Sequence, residues 1–368
     1  MKKETTQQLK GIAILLMLWL YLFSEMDIIN AHVYWFLPYF NGKPLCYVMT
    51  RVCASCVPIY ILLGGYGLTK VYLNCQKAHH DMHCMWRVLA LYANLWMVML
   101  LFVPLGCWLN PSLFPGSWLV MAENALGLSW TYNGAWWFLL PYALITVGSA
   151  WWIGVIYCRR GWVTIVVCVL LAMLNILIYV SKDSLETATE IGWRVVLALM
   201  NMGYMMFMFT LGILAVKHQV IERMKARLEG CNHFFWRVGG GLLLLCIARM
   251  MLGGSALVGL VFAPLFVLLT ALLLENKGKV RILAFFGRHS TNMWLVHFHI
   301  HYSHDTYGRC ISTAGHSLRF VKTWHHHVGD AFEVSETFIP HHYACSGHHH
   351  TARPDDPHTC HHSPIPPV

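Results

Sequence analysis

The sequence is poor in charge. Asp, Glu, Lys and Arg make up 12% of its 368 residues, against about 25% in a typical soluble domain. Apolar residues make up 57%. A disordered chain or a coiled coil needs far more polar residues, and a soluble globular protein exposes less apolar surface. The composition therefore predicts a membrane protein with several spans.

The sequence also lacks a paired-cysteine framework, although it contains 13 cysteines. Cys168 and Cys246 lie inside long apolar runs. Cys53 and Cys56 have CxxC spacing, but there is no second CxxC motif and no βαβ context. Small buried hydrophobic side chains are the favoured interpretation, so no metal or redox centre is expected.

Long apolar runs are what the chain has in abundance. A membrane helix needs about 20 predominantly apolar residues. Nine runs approach that length, of which the seventh and ninth are short, and they lie near residues 11–30, 52–72, 86–107, 135–157, 161–181, 192–216, 238–252, 255–274 and 285–303. The pattern predicts an all-α, polytopic transmembrane helix bundle.

Basic residues alternate between the two sides of this bundle. Seventeen fall on the side of the N-terminus. The opposite side has four, namely Lys43, Arg51, Lys182 and Arg194. Because basic residues are enriched in cytoplasmic loops, the N-terminus is predicted to be cytoplasmic. The net charge is +9, but the basic residues lie in short clusters between apolar runs. This placement is typical of a membrane protein, so no nucleic-acid partner is expected.

The C-terminal segment departs from the membrane pattern. Fourteen of the 23 histidines fall within residues 301–368, where hydropathy collapses. The boundary is predicted near residue 303, with a membrane domain over 1–303 and an irregular His-rich tail over 304–368. The change is abrupt and falls in the middle of an apolar helix, so loss of the reading frame is the favoured explanation. A genuine metal-binding tail is the alternative.

Polar groups inside a span are costly and are functional candidates by default. In the first span Lys10 and Tyr21 share one face, about 16 Å apart along a helix rising 1.5 Å per residue. A hydrogen bond from Tyr21 to a neighbouring helix is the alternative role. Arg87 can receive an anionic phosphate or anchor its helix at the membrane surface. Arg249 is expected to face a polar cavity or to extend outward.

Two further segments combine polar groups with special backbone. The second span begins with Arg51, and three glycines within residues 64–67 allow close approach of another backbone or local unwinding. In the ninth span Ser290, Trp294 and His297 are spaced i, i+4 and i+7, so they are predicted to share one helix face. His297 is the deepest ionisable group on that face.

Four segments together resemble the acyltransferase-3 family, which comprises bacterial multi-pass enzymes that O-acylate polysaccharides, peptidoglycan and small glycosides. They are the first-helix start at residues 10–14, the Val-Pro…Gly-Tyr stretch in 51–68, the tryptophan-rich 135–139 and the late Gly-basic-x-Ser…Leu-x-His signature at 287–297. Each motif is loose, but the order and topology of the set are specific. The family usually has a tenth span, so the resemblance implies about nine to ten spans.

The resemblance implies an integral-membrane O-acyltransferase in the bacterial inner membrane. Its acyl donor is expected to be acetyl-CoA, and its acceptor a hydroxyl of a cell-surface carbohydrate or glycoconjugate. Three groups of site residues carry over by position. They are the catalytic pair Tyr21 and His297, the CoA-binding cations Lys10, Arg51 and Arg87, and the acceptor-binding Trp136, Trp137 and Ser290. No metal is expected.

Two positions differ from the family pattern. Tyr21 stands where the family has a first-helix His, and Gly64 stands where it has a Ser. A phenol with an unperturbed pKa near 10 is a poor general base at pH 7, whereas imidazole is suited to the task. A catalytically inactive homologue that binds glycan or lipid is therefore one alternative. A transporter is the other, although the sequence shows no inverted repeat of broken helices.

Overall fold

The computed structural model of the chain describes residues 1–26, 29, 38–40, 42–109, 111, 114–159, 162–164, 166–167, 169–171, 173, 190–228, 233–253 and 256–297. This part of the chain is almost wholly helical. Its α-helices are α1 (Lys3–Phe23), α2 (Leu45–Cys53), α3 (Cys56–Lys77), α4 (Cys84–Leu109), α5 (Trp118–Leu126), α6 (Leu139–Cys158), α7 (Glu190–Lys217), α8 (Val220–Leu228), α9 (Phe234–Leu252), α10 (Ala256–Lys277), α11 (Arg281–Arg288) and α12 (Ser290–Val296).

Two smaller elements complete the described structure. The antiparallel hairpin of β1 (Tyr39–Phe40) and β2 (Lys43–Pro44) precedes α2 and pairs Phe40 with Lys43. A 3₁₀ helix (Gly134–Phe138) leads directly into α6. In the described residues the expectation of an all-α protein is confirmed, apart from this hairpin of two strands with two residues each.

Six helical stretches in the described residues are long and apolar enough to cross a membrane. They are α1, the pair α2–α3, α4, the 3₁₀ helix with α6, α9 and α10. The bent pair of α7 and α8, with an angle of 56°, gives a seventh if it is counted as one span. The predicted fifth run, 161–181, lies largely outside the described residues.

The ninth predicted run is not one continuous helix. The structure divides it at His289 into α11 and α12, which have 8 and 7 residues. Neither helix alone reaches the length of about 20 residues that crossing a bilayer requires. The residues of this run beyond 297, and the whole His-rich tail, lie outside the described part of the chain.

Glycines allow two helix pairs to approach closely. Where α1 crosses α11, a Cβ atom added at Gly11 would lie 3.1 Å from the backbone nitrogen of Gly287 and closer still to Leu283. A Cβ at Gly287 would lie 2.6 Å from the carbonyl carbon of Gln7. Only a residue without a side chain fits at either position, so backbone contact sets the register of α11 against α1.

The pair α3 and α7 meets in the same way. A Cβ at Gly65 would lie 3.0 Å from the carbonyl carbon of Phe209, and one at Gly212 would lie 2.7 Å from the backbone nitrogen of Tyr66. Within the glycine cluster of the second span, Gly65 therefore serves close approach, and α3 remains helical through the cluster.

Candidate functional site

The two side chains expected to be catalytic lie in contact. The rings of Tyr21 and His297 have centroids 4.5 Å apart and an interplanar angle of 58°. Tyr21 belongs to the last turn of α1, and His297 follows the last residue of α12 with φ −69° and ψ 107°. The expectation that His297 shares a helix face with Ser290 and Trp294 is wrong, because the chain leaves the helix at this residue.

Trp137 and Cys56 complete the surroundings of Tyr21. The Trp137 side chain is hydrogen-bonded to the Tyr21 hydroxyl, and an indole N–H can only donate. The Cys56 thiol, at the start of α3, lies within electrostatic range of the same hydroxyl. Position 21 is therefore a polar point where α1, α3, the 3₁₀ helix and the end of α12 meet.

Asn133 holds the backbone on which His297 is carried. Its Nδ2 donates to the carbonyl oxygen of His297 at 2.6 Å and to that of Leu295 at 3.4 Å. Its Oδ1 accepts from the backbone N–H of Ala135 at 2.9 Å, which caps the 3₁₀ helix. Because Asn133 is 1% exposed, these bonds form away from water. One buried amide thus ties the tryptophan-rich motif to the late histidine motif.

Two indole groups reinforce this tie from both sides. Trp136 Nε1 donates to the carbonyl oxygen of Leu295 at 3.1 Å, and Trp294 Nε1 donates to that of Ala135 at 2.9 Å. Trp136 is fully buried. We call Asn133, Trp136 and Trp294 the amide–indole clamp. Trp136 was expected to bind an acceptor, but its ring has no exposed surface on which a sugar could stack. The Trp137 side chain, by contrast, is hydrogen-bonded to Tyr21.

A second polar group lies nearer the start of α1. The Tyr60 hydroxyl donates to the carbonyl oxygen of Lys10 at 3.0 Å, and Ser290 lies within hydrogen-bonding reach of the same hydroxyl. Ser290 is buried, and its Oγ donates to the carbonyl oxygen of Gly287 at 3.0 Å. The backbone of Lys10 in α1 and the side chain of Ser290 in α12 therefore meet at Tyr60.

Arg87 approaches this second group from outside. It lies exposed in the first turns of α4, within electrostatic range of the half-buried Tyr142. Tyr142 is in turn within electrostatic range of Tyr60, and its ring packs beside that of Phe138 at 5.6 Å. Tyr142 therefore lies between Arg87 and the Tyr60 hydroxyl that contacts the backbone of Lys10.

Arg51 makes a different set of contacts. Its guanidinium donates to the carbonyl oxygen of Met250, near the end of α9. Its own carbonyl oxygen accepts from Arg249 Nε at 3.0 Å. The contacts of Arg51 are thus with α9, whereas the backbone of Lys10 contacts Tyr60 on α3.

Arg249 is turned into the protein. It is 3% exposed, and its guanidinium lies over the ring of Phe262 at 5.8 Å from the centroid. Arg249 was expected either to face a polar cavity or to extend outward. The structure favours the inward orientation, in which Arg249 donates to the Arg51 carbonyl oxygen. Extension to the membrane surface is excluded by its burial.

The sequence reasoning overlooked Asn133 and Tyr60. For Asn133 a local signal was present, because an Asn directly before a helical run is a preferred N-cap residue. For Tyr60 the signal was a single hydroxyl inside the apolar first half of α3. Neither signal indicates which distant segment the side chain contacts.

A family model described as an acyltransferase domain matches residues 7–309. The match covers most of the chain and includes every site residue described above. No curated protein and no solved structure matches the chain.

Proposed function

Because the chain belongs to the acyltransferase-3 family, we propose that it is an integral-membrane O-acyltransferase acting on a carbohydrate. It transfers an acyl group, in particular acetyl, from acyl-CoA to a hydroxyl of a cell-surface carbohydrate or glycoconjugate. The observation that supports this most directly is the contact between Tyr21 and His297 at the meeting point of the family motifs.

We assign the donor phosphates to Lys10 and Arg87. The backbone of Lys10 contacts Tyr60, Arg87 lies toward Tyr60 through Tyr142, and Lys10 lies about 16 Å along α1 from Tyr21. Such a separation suits a donor whose charged phosphates and reactive thioester are joined by a long flexible arm. Arg51 is not part of this assignment, because its contacts lie at the end of α9.

His297 is the proposed general base. An imidazole with a pKa near 6.5 is suited to taking the proton of an acceptor hydroxyl. The acceptor oxygen then attacks the thioester carbonyl, forming a C–O bond while the C–S bond breaks. The proton held by the imidazolium passes to the departing CoA sulfur, so the base is restored.

Tyr21 has a role that a phenol can perform. It is a poor base, but its O–H is a good hydrogen-bond donor, and Trp137 occupies an acceptor position on the same oxygen. We assign Tyr21 to stabilising the negative charge that develops on the thioester oxygen during attack. One such donor typically contributes about 10²–10³-fold to the rate.

The proposal includes an orientation. The excess of basic residues on one side supports a cytoplasmic N-terminus in a bacterial inner membrane. In that orientation Lys2, Lys3 and Lys10 lie on the side where acyl-CoA is available. The acceptor hydroxyl then enters from the opposite side.

The test is transfer of labelled acetyl groups from acetyl-CoA to the glycans of membranes that contain the full chain. His297→Gln is expected to lower the rate by about 10²–10⁴-fold, because the base is lost. His289→Gln is the matched control, since His289 is also half-buried and lies next to α12 but contacts Phe285 instead. Tyr21→Phe is expected to lose about 10²-fold, while Tyr21→His restores the family residue and is expected to raise transfer.

Two results would contradict this mechanism. Equal transfer by His297→Gln and the original chain would remove His297 as the base. Binding of acetyl-CoA without transfer by the original chain or Tyr21→His would favour the inactive binding homologue instead.

A further inference from the structure

A cavity lies where the β1–β2 hairpin and α2 meet the end of α9. Its volume is about 70 Å³, and it is lined by Phe40, Lys43, Val48, Arg51, Met250 and Met251. A cavity needs about 10–15 Å³ to hold one water. The space therefore accommodates a small polar group together with water.

The cavity is cationic. Lys43 and Arg51 both line it, and no carboxylate pairs with either of them in the described ranges of the chain. Arg51 uses one guanidinium nitrogen on the carbonyl oxygen of Met250, and a guanidinium has five N–H donors in all. The Lys43 ammonium lies 5.2 Å from the centroid of the Tyr47 ring, a contact that leaves its charge unneutralised. This ammonium and the remaining Arg51 donors therefore leave the site with charge and hydrogen bonds to offer an anion.

The surroundings of the cavity are those of a membrane surface. Met251 is 58% exposed on α9, and only 11% of the apolar window of α9 is buried inside the protein. Tyr39, in the adjoining hairpin, is 72% exposed, and tyrosines are enriched where membrane meets water. The cavity thus adjoins both the lipid-facing surface of α9 and an aromatic residue suited to the head-group level.

We propose that this cavity binds the phosphate of a phospholipid head group. Arginine matches the two-oxygen geometry of a phosphate, and basic pockets between transmembrane helices suit phosphorylated head groups. The acyl chains then lie along the exposed apolar face that contains Met251. The inference concerns a site separate from Tyr21 and His297, and it does not depend on the proposed reaction.

The test measures lipid retention by native mass spectrometry on the full chain in neutral detergent. Phosphatidylglycerol is the probe, and monogalactosyl diacylglycerol, which has no phosphate, is the comparison lipid. The original chain is expected to bind phosphatidylglycerol at least about tenfold more tightly, because only the phosphate offers a negatively charged acceptor to the two cations. Inorganic phosphate is added in a third arm and is not expected to displace the lipid at equal concentration.

Variants connect the binding to the cavity. Arg51→Gln is expected to weaken phosphatidylglycerol binding about tenfold, and Lys43→Gln, at an exposed position, about threefold. Lys77→Gln removes the same charge at the far end of α3 and is expected to leave binding unchanged.

Three outcomes would overturn the inference. Unchanged binding by Lys43→Gln and Arg51→Gln would show that the lipid sits elsewhere. Equal retention of the galactolipid would show that the phosphate is not recognised, and displacement by equimolar inorganic phosphate would indicate a site for soluble anions. Because Lys43 is exposed, its variant tests the site even if Arg51→Gln does not fold.

Discussion

Helix α9 and the crossing of α1 with α11 use glycine in opposite ways. In α9 three glycines follow one another at 239–241, and a Cβ added at either of the first two would meet nothing within 4 Å. At the crossing, a single glycine in each helix is pressed against the backbone of the other. A run of glycines in a sequence therefore does not by itself identify a packed surface. Gly11 and Gly287, and Gly65 within the cluster of α3, are packed against backbone, whereas Gly239 and Gly240 are not.

The physical setting of the two regions explains this difference. Most of the α9 surface is exposed, and lipid tails are as apolar as its leucines, so helix packing there gains little. The crossing of α1 with α11 leads directly to Tyr21 and His297 through the ends of α1 and α12. Van der Waals contact between backbones gives that junction a fixed geometry, which the proposed roles of Tyr21 and His297 require.

The largest expected effect on stability comes from replacing a glycine by alanine at the crossing of α1 with α11. Gly287→Ala places a Cβ 2.6 Å from the carbonyl carbon of Gln7, and backbone atoms cannot move aside as a side-chain end does. The free energy of unfolding is expected to fall by about 3 kcal/mol or more. Reversible unfolding in mixed micelles measures it, and an unchanged value would mean that the two helices are not in backbone contact.

The second prediction concerns the amide–indole clamp. Asn133→Ala removes the donor to the carbonyl oxygen of His297 and leaves that buried oxygen unsatisfied, at a cost of about 1–3 kcal/mol of stability. Because the imidazole is then less well oriented, kcat for acetyl transfer is expected to fall by about tenfold or more while KM for acetyl-CoA changes little.

Asn133→Ser is the matched control for that variant. A Ser hydroxyl still caps the 3₁₀ helix by accepting from Ala135, but it is too short to reach His297 as the amide does. It is expected to regain part of the stability and none of the lost kcat. Full recovery of kcat in Asn133→Ser would show that only the cap matters.

The third prediction has the smallest effect and the opposite sign. Gly240→Ala adds a methyl group where nothing lies within 4 Å, and alanine is favoured over glycine in a helix interior by up to about 1 kcal/mol. A gain of up to that amount is expected in the same unfolding experiment. A loss as large as that of Gly287→Ala would imply that a partner covers this face of α9.

Parts of the fold were predictable because they are local. Apolar runs of membrane length matched α4, α7 and α10, whereas the first run, expected at 11–30, lies earlier in the chain as α1 (Lys3–Phe23). The late motif named His297 as a catalytic candidate, but it gave no indication that His297 lies beside Tyr21. The run at 285–303 was wrongly expected to be one helix, because hydropathy does not register the break at His289 between α11 and α12. The role of Asn133 was also missed, since its bond to His297 joins segments far apart in sequence.

Among the cations, sequence position alone was a poor guide. Lys10, Arg51 and Arg87 were all expected to bind CoA from their places near span ends. In the structure the Lys10 carbonyl oxygen accepts from Tyr60, Arg87 lies toward Tyr142, and Arg51 donates to Met250 near the end of α9. Charge and hydropathy locate a residue along the membrane normal, but they carry no information about which helices are neighbours.

Composition and hydropathy by themselves determined that this chain forms membrane helices, because in lipid the backbone must satisfy its own hydrogen bonds and only helices and closed barrels do so. Motif order determined the family. Tertiary structure alone decided that Tyr21 meets His297, that Asn133 holds it there and that Arg51 turns toward α9. Those contacts depend on helix crossings set by backbone approach at Gly11, Gly65, Gly212 and Gly287, and such close packing is a property of two segments together.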